Sequence, residues 1–286
     1  MGYYELPVAA VGAGTQPSET DGAELNYQAM PESMSTFAMP EIPEPEVVGD
    51  LLQARQLLDD VQGVLRDYRV GDPPSMFELS DLDRDNLALL DQLLGEGEVS
   101  IVVAGKSQTR IQESVLAGLW RVRYLDREGT LLRDTLEVAD IPGLVRQATF
   151  AAAAEHLVLP DAPLPEGVLN APPLVAELDE KSLAYRSAVP PHVINLTLLP
   201  QTEQDLAFLD QLLGAGSVTI LSRGYGNCRI TSTQMRYVWW VQYFNSQDNN
   251  ILNTLEVTDV PAVACAAPED IADSAQRLNE ILEIYR

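Results

Sequence analysis

Apolar residues recur at helical spacing in several stretches of the chain. Between residues 50 and 69 they step by three or four positions, at Leu51, Ala54, Leu58, Val61, Leu65 and Tyr68. One such stripe predicts an amphipathic helix. Similar patterns predict helices over residues 81–94, over "LVAELDEKSLAYRSA", and from Glu269 to Tyr285.

Shorter apolar runs separated by turn residues follow the helix predicted over 81–94. They are "VSIVVAG", "TRIQESV", "GLWRVRYLD" and "LLRDTLEV". In "WRVRY" apolar residues alternate with arginine, which is typical of a half-buried antiparallel strand. The four runs therefore predict a four-stranded antiparallel meander.

The same pattern occurs twice. Shifting the chain by 119 positions places "LALLDQLLGEGEVSIVV" on "LAFLDQLLGAGSVTILS" and "TLEVADIP" on "TLEVTDVP". The stretches 87–142 and 206–261 align without a gap and share 23 identities in 56 positions. A repeat of this length predicts a duplicated structural unit rather than a solenoid.

The predicted fold class is α+β, with two tandem homologous units. Each unit consists of a helix, a four-stranded antiparallel meander and a closing helix, and an acidic extended N-terminus precedes them. The predicted segments are an acidic N-terminal segment (1–49), a connecting helix (50–76), the first repeat (77–157), a Pro-rich connector with a helix (158–191) and the second repeat (192–286).

Charge narrows the range of partners. The chain has 43 acidic and 18 basic residues, a net charge of −25, and its first 49 residues contain eight acids and no Lys or Arg. Such a field repels nucleic acid and anionic membranes and attracts cationic segments. No apolar run is long enough for a membrane span, and the N-terminus lacks the basic region of a secretory signal. These features predict a cytoplasmic protein without membrane insertion.

No complete catalytic motif is present. "AGKS" lacks the first glycine of a phosphate-binding loop, and the second repeat does not retain it. Cys228, Cys265, His156 and His192 do not have the spacing of metal ligands. We therefore expect no catalytic residues, no metal and no cofactor.

Residues that recur in both repeats are the candidates for function. Arg110 and Arg229 match each other, as do Glu137 and Glu256. Two interpretations stay open: each Glu pairs with the Arg of a neighbouring strand, or the four line a groove for a peptide. Trp240 matches an arginine in the first repeat, which predicts an exposed aromatic anchor. Three acids of the N-terminal segment complete the candidate protein-binding set: Glu41, Glu44 and Glu46.

The chain resembles the hydrogenase expression/formation proteins of the HupH/HyaF type. The resemblance rests on "LPVAAVGAGTQP", "LNYQAMPESMSTFAMPEIPEPE" and the doubled "LDQLLGxG" and "TLEV" units. It implies a non-enzymatic assembly chaperone in [NiFe]-hydrogenase maturation. Its expected partner is the immature small, iron–sulfur subunit or the twin-arginine signal peptide of that subunit, and other maturation proteins are further candidate partners.

Two other functions stay open at this stage. One is an enzyme or a metal or cofactor carrier in the same pathway, with the two cysteines as its only soft ligands. The other is a scaffold that dimerises through its sheets.

Overall fold

The computed structural model describes residues 51–105, 107–187, 189–224 and 226–285. The N-terminal segment, with Glu41, Glu44 and Glu46 and its expected extended conformation, lies outside them. Within the described residues there are six α-helices: α1 (Leu52–Asp67), α2 (Arg84–Leu94), α3 (Gly143–Ala148), α4 (Ala171–Ala184), α5 (Glu203–Leu213) and α6 (Pro268–Ile284). Two 3-10 turns cover Leu196–Leu198 and Ala262–Ala264.

The strands are β1 (Ser75–Glu78), β2 (Val99–Val103), β3 (Gln108–Glu113), β4 (Leu119–Leu125), β5 (Leu131–Val138), β6 (His192–Asn195), β7 (Ala215–Ser222), β8 (Asn227–Thr233), β9 (Val238–Phe244) and β10 (Asn250–Val257). They form one antiparallel sheet in the order β1-β5-β4-β3-β2-β7-β8-β9-β10-β6. The α+β class with antiparallel pairing is thereby confirmed.

The central strands β2 and β7 are paired symmetrically. Ile101 lies opposite Ile220, and Val99 lies opposite Ser222, just as Val103 lies opposite Val218. The 119-residue shift relates Ile101 to Ile220, Val99 to Val218 and Val103 to Ser222. Exchanging the two strands by this shift therefore leaves the register unchanged. This is the pairing that a two-fold axis between Ile101 and Ile220 produces.

Side chains alternate between the two faces of the sheet. On one face, called face A here, Leu136 and Val138 pack against α1, α2 and α6, and Leu255 and Val257 pack against α4 and α5. On the other, face B, strands β2, β3, β4, β7, β8 and β9 contribute a third cluster, which includes Trp120, Trp239, Ile101 and Ile220. The segments that follow β5 and β10 also belong to this cluster, through Val145 and Ala264.

Both expected four-stranded meanders are present, as β2-β3-β4-β5 and β7-β8-β9-β10, but the expectation missed one further strand in each half. Each half contributes five strands, and the halves share one sheet. The additional strands, β1 and β6, have only four residues each and directly follow Pro-Pro pairs, "DPPSMFE" and "VPPHVIN". The short runs did not show strand alternation clearly in the sequence, and the prolines suggested loops.

The expected closing helix of the first half is much shorter than its alanine-rich sequence suggested. α3 ends at Ala148, although helix formers continue to residue 154. The N–H of Ala154 instead donates to the carbonyl of Gln234, and its carbonyl accepts from the N–H of Arg236. These contacts with the second half override local helix propensity.

Candidate functional site

The structure places the predicted Arg and Glu candidates on opposite faces of the sheet. Arg110 lies opposite Arg123, on face A, whereas Glu137 lies opposite Trp120, on face B. The second half repeats this arrangement, with Arg229 opposite Gln242 and Glu256 opposite Trp239. The interpretations that paired Arg with Glu, or placed all four in one groove, are therefore wrong, because alternation separates them.

The two glutamates are held within the fold. Glu137 is buried, and its carboxylate accepts a 2.6 Å hydrogen bond from the N–H of Gly143 at the start of α3. Glu256 is half-buried and accepts a 3.4 Å hydrogen bond from the hydroxyl of Thr254. Burial raises the pKa of both carboxyls. In the first half, the glutamate fixes the turn between β5 and α3.

The two arginines face the central part of face A. Arg110 is exposed and donates to the side chain of Gln108 at 3.1 Å. Arg229 is half-buried, and its guanidinium lies 5.4 Å from the ring centre of Phe244, a cation–π contact. Burial lowers the pKa of Arg229. These side chains are available to a polar or anionic group, not to a cationic one.

Trp240 is half-buried rather than exposed. It packs against the face A cluster of the second half, and its indole N–H donates to the side-chain oxygen of Asn253. The matched place in the first half holds an ion pair, in which Arg121 donates to Asp134. The predicted aromatic anchor thus serves local packing in the second half.

The pattern "TLEVxDxP", which occurs twice in the chain, contains two aspartates that share one arginine, an ion-pair cluster that sequence reasoning missed. Asp140 and Asp259, its two matched aspartates, are both bound by Arg146, which reaches Asp140 at 2.6 Å. The backbone N–H of Asp140 donates to the hydroxyl of Tyr68, and that of Asp259 donates to the hydroxyl of Tyr185. The sequence gave no indication that the two segments that carry these aspartates meet.

Arg146 itself has a cysteine as its counterpart. Shifting by 119 positions places Arg146 on Cys265, which is half-buried. Burial raises the pKa of Cys265 to about 12, and burial raises that of Cys228 to about 12 as well. Neither thiol is a thiolate at neutral pH, so neither is prepared for nucleophilic chemistry.

Within the described part of the chain, no three His, Cys, Asp or Glu side chains are grouped as metal ligands would be. Nor does any described helix combine the length and apolar character needed to cross a bilayer.

Comparison with known proteins identifies the family. The model of the HupH hydrogenase expression protein, C-terminal conserved region, matches residues 51–158 and matches again at residues 168–285. The chain belongs to the HupH hydrogenase expression protein family. Both matches begin at the segment that carries the first helix of a half, α1 or α4.

Similar proteins span nearly the whole chain. Hydrogenase expression/formation protein HupQ of Azotobacter chroococcum is 50% identical over 285 residues, covering 99% of both chains. HoxQ of Cupriavidus necator is 47% identical and covers 99% of this chain and 98% of its own. Hydrogenase-1 operon protein HyaF of Escherichia coli is 36% identical, covering 96% and 94%. Among solved structures, HupH from Thiobacillus denitrificans is 29% identical, covers 39% of this chain and 92% of its own, and has a TM-score of 0.37.

The family gives the protein a role in hydrogenase maturation. This confirms the coarse function that the resemblance implied and places its partners within the hydrogenase pathway.

Proposed function

We propose that the protein is a non-enzymatic assembly chaperone that acts in the cytoplasm. It holds the immature small subunit of a [NiFe]-hydrogenase, or the twin-arginine signal peptide of that subunit, before export. The observation that carries the proposal is the net charge of −25 on a member of a hydrogenase expression family. A field of this sign attracts a signal that bears two arginines and speeds encounter with it.

The non-enzymatic part rests on how the ionisable groups are used. Glu137 fixes a turn, Asp140 is engaged by Tyr68 and Arg146, and the thiols have raised pKa values. These groups are satisfied within the fold, which suits a structural role. Catalytic groups, in contrast, need a free reactive atom in reach of substrate.

The chain organisation that we propose is a duplication, with each half running helix, edge strand, helix and four further strands. Three observations support it. α1 and α4 begin 119 positions apart, the family model matches each half, and the register of β2 with β7 is symmetric. In this view the helices 52–67 and 171–184 are the first elements of the halves rather than parts of connectors.

The binding experiment uses the full chain and a purified precursor of the small subunit, with and without its signal peptide. We expect binding that weakens strongly between low and high salt, because charges are screened over about 8 Å at physiological ionic strength. Absence of binding to both forms would reject the proposal. Turnover of a maturation intermediate by the purified protein would favour the enzyme alternative instead.

A second experiment tests the N-terminal acids. Changing Glu41, Glu44 and Glu46 to Gln removes three negative charges. The control changes three exposed acids of α6 to Gln, namely Glu269, Glu280 and Glu283. We expect weaker precursor binding at low salt from the first set only. Equal effects of the two sets would make the N-terminal acids part of a general field and not a contact.

A further inference from the structure

One outer edge of the sheet has backbone groups without a partner strand among the described residues. Within residues 51–105, 107–187, 189–224 and 226–285, β1 is the last strand on its side and pairs with β5 alone. The N–H of Leu79 donates to the carbonyl of Asp134, which identifies this pair as a hydrogen-bonded pair of the ladder between β1 and β5. Hydrogen-bonded pairs alternate along an antiparallel ladder, so the N–H and C=O of Met76 and Glu78 point away from β5. A strand edge of this kind can receive another extended chain.

A groove of about 930 Å³ runs between this edge and α1. Its apolar lining includes Leu52, Leu57, Phe77 and Leu82, and Leu52 is 67% exposed. Exposed apolar side chains beside a free edge favour a peptide whose own apolar side chains can pack there.

The rim of the groove is acidic. Asp60 on α1 and Asp81 after β1 are exposed, and both line it. Arg55, the cation of the lining, donates its guanidinium N–H to the backbone carbonyl of Tyr285 and so is held by the fold. The groove therefore complements an extended segment that carries both cationic and apolar side chains.

The opposite edge of the sheet provides an internal comparison. On β6, Val193 lies opposite Glu256 as Met76 lies opposite Glu137, so the two positions match. The acids match only in part. Counting from that pair, Glu78 corresponds to Asn195 and Asp81 corresponds to Leu198. Asp60 corresponds to Asp179 at the 119-residue shift, and Asp179 accepts a hydrogen bond from the N–H of Leu157. Among the described residues the unpaired edge is thus present twice, but the acids at the positions of Glu78 and Asp81 occur only beside β1.

We propose that β1 and α1 form a docking groove for a cationic, apolar peptide segment, which adds to the sheet as a strand beside β1. This rests on the proposed function, since a twin-arginine signal is such a segment. The occupant bonds to the backbone of Met76 and Glu78 and directs its cations to Asp60 and Asp81. Main-chain hydrogen bonds supply affinity, and the rim supplies the charge preference.

The decisive variant is Met76→Pro. Proline removes the outward N–H of Met76, and that N–H takes no part in the ladder with β5. The matched control is Val193→Pro on β6. The probe is a fluorescent synthetic peptide of alternating arginine and leucine, and its control replaces arginine with glutamate. We expect Met76→Pro to weaken binding of the arginine peptide about tenfold and Val193→Pro to leave it within twofold.

A second pair of variants covers the case in which a proline disturbs folding. Asp60→Asn combined with Asp81→Asn preserves shape and should weaken binding about fivefold at low salt and less at high salt. Asp273→Asn, on an exposed site of α6 outside the groove lining, should change it less than twofold. Circular dichroism checks that each variant is folded.

The outcomes separate the groove from the proposed function. Unchanged peptide affinity in folded Met76→Pro and in the Asp60, Asp81 variant overturns the groove. Equal binding of the glutamate peptide also overturns it, as does a Met76→Pro effect on self-association alone, which would make a second copy the occupant. Precursor binding that survives all these changes keeps the chaperone function and rejects only this site. Loss of both peptide and precursor binding in Met76→Pro, with both retained in Val193→Pro, supports the groove.

Discussion

Arg121 and Asp134 are joined by two parallel hydrogen bonds of 2.6 Å across β4 and β5. Their side chains are only 11% and 7% exposed. At the matched positions of the second half, Trp240 and Asn253 form a neutral hydrogen bond. The same backbone framework thus accommodates a buried ion pair in one half and an aromatic–amide pair in the other.

Breaking this ion pair should destabilise the first half. We expect Asp134→Asn to lower the free energy of unfolding by about 2–4 kcal/mol, because it leaves a mostly buried guanidinium with the exposed Asp91 as its remaining carboxylate partner. Adding Arg121→Trp should recover part of the loss by recreating the pair found in the second half. Urea unfolding of the two single variants and the double variant measures the coupling. Strictly additive losses in the double variant would contradict the expected recovery. The control is Arg133→Gln, which breaks an exposed pair with Glu78.

Removing Arg146 should weaken the contact between the segments that follow β5 and β10. Arg146→Gln leaves Asp140 and Asp259 without their shared cation, and we expect a loss of about 1–3 kcal/mol. This loss of unfolding free energy is smaller than for a fully buried ion pair because the Arg146 side chain is 37% exposed. Arg236→Gln, which breaks an exposed pair with Glu155, should cost under about 1 kcal/mol in the same urea titration. Equal losses would show that Arg146 is an ordinary surface residue.

Glu113 should make the protein less stable as pH rises. Burial raises its pKa from the ordinary 4.5 to about 7, so the folded state binds the proton more tightly than the unfolded state does. Its stabilising effect is therefore present at pH 4.5 and is lost as pH rises toward 7. Glu113→Gln should flatten the dependence of unfolding free energy on pH in this window, by at most about 3 kcal/mol. Ser232→Ala, at the matched position, should not flatten it.

Asp205 should act in the opposite direction. Burial alone would raise its pKa, but the backbone N–H groups of Thr202, Ala171, Asn170 and Leu169 outweigh burial and lower the pKa to about 2. Its contribution is present above the ordinary value of 3.8 and is lost as pH falls toward 2.

Asp205→Asn tests this contribution. We expect it to cost about 2–4 kcal/mol at neutral pH, because a neutral amide oxygen accepts these bonds more weakly and its NH2 group faces donors. The loss should shrink in acid, as measured by urea unfolding between pH 2 and pH 6. A cost that does not change over this pH range would contradict the assignment to the carboxylate charge.

Periodicity alone predicted most of the fold. The long stripes on α1 and α6 and the alternation in β4 gave elements within a few residues of those observed. The edge strands were missed because a run of four residues after two prolines is too short to show a clear alternation of apolar and polar positions. That the halves share one sheet depends on β2 pairing with β7, and neither strand carries that information in its own pattern.

The sites were less accessible from the sequence than the fold. The repeat singled out Glu137 and Glu256, but it did not show which face of the sheet they occupy relative to Arg110. Nor could it show that Arg146, present once, contacts both aspartates. These relations depend on where loops cross the sheet, which is set by tertiary packing.

If the chain arose by the duplication that we propose, the single Arg146 between two matched aspartates has an evolutionary consequence. In a two-fold homodimer every substitution appears twice, so an arginine on one side of the axis would face a second arginine. Here the second position is Cys265. Two halves encoded in one chain can mutate independently, so acids such as Glu78 and Asp81 at one edge of the sheet need not be repeated at the other. Covalent linkage thereby allows a symmetric backbone framework to carry different side chains at its two edges.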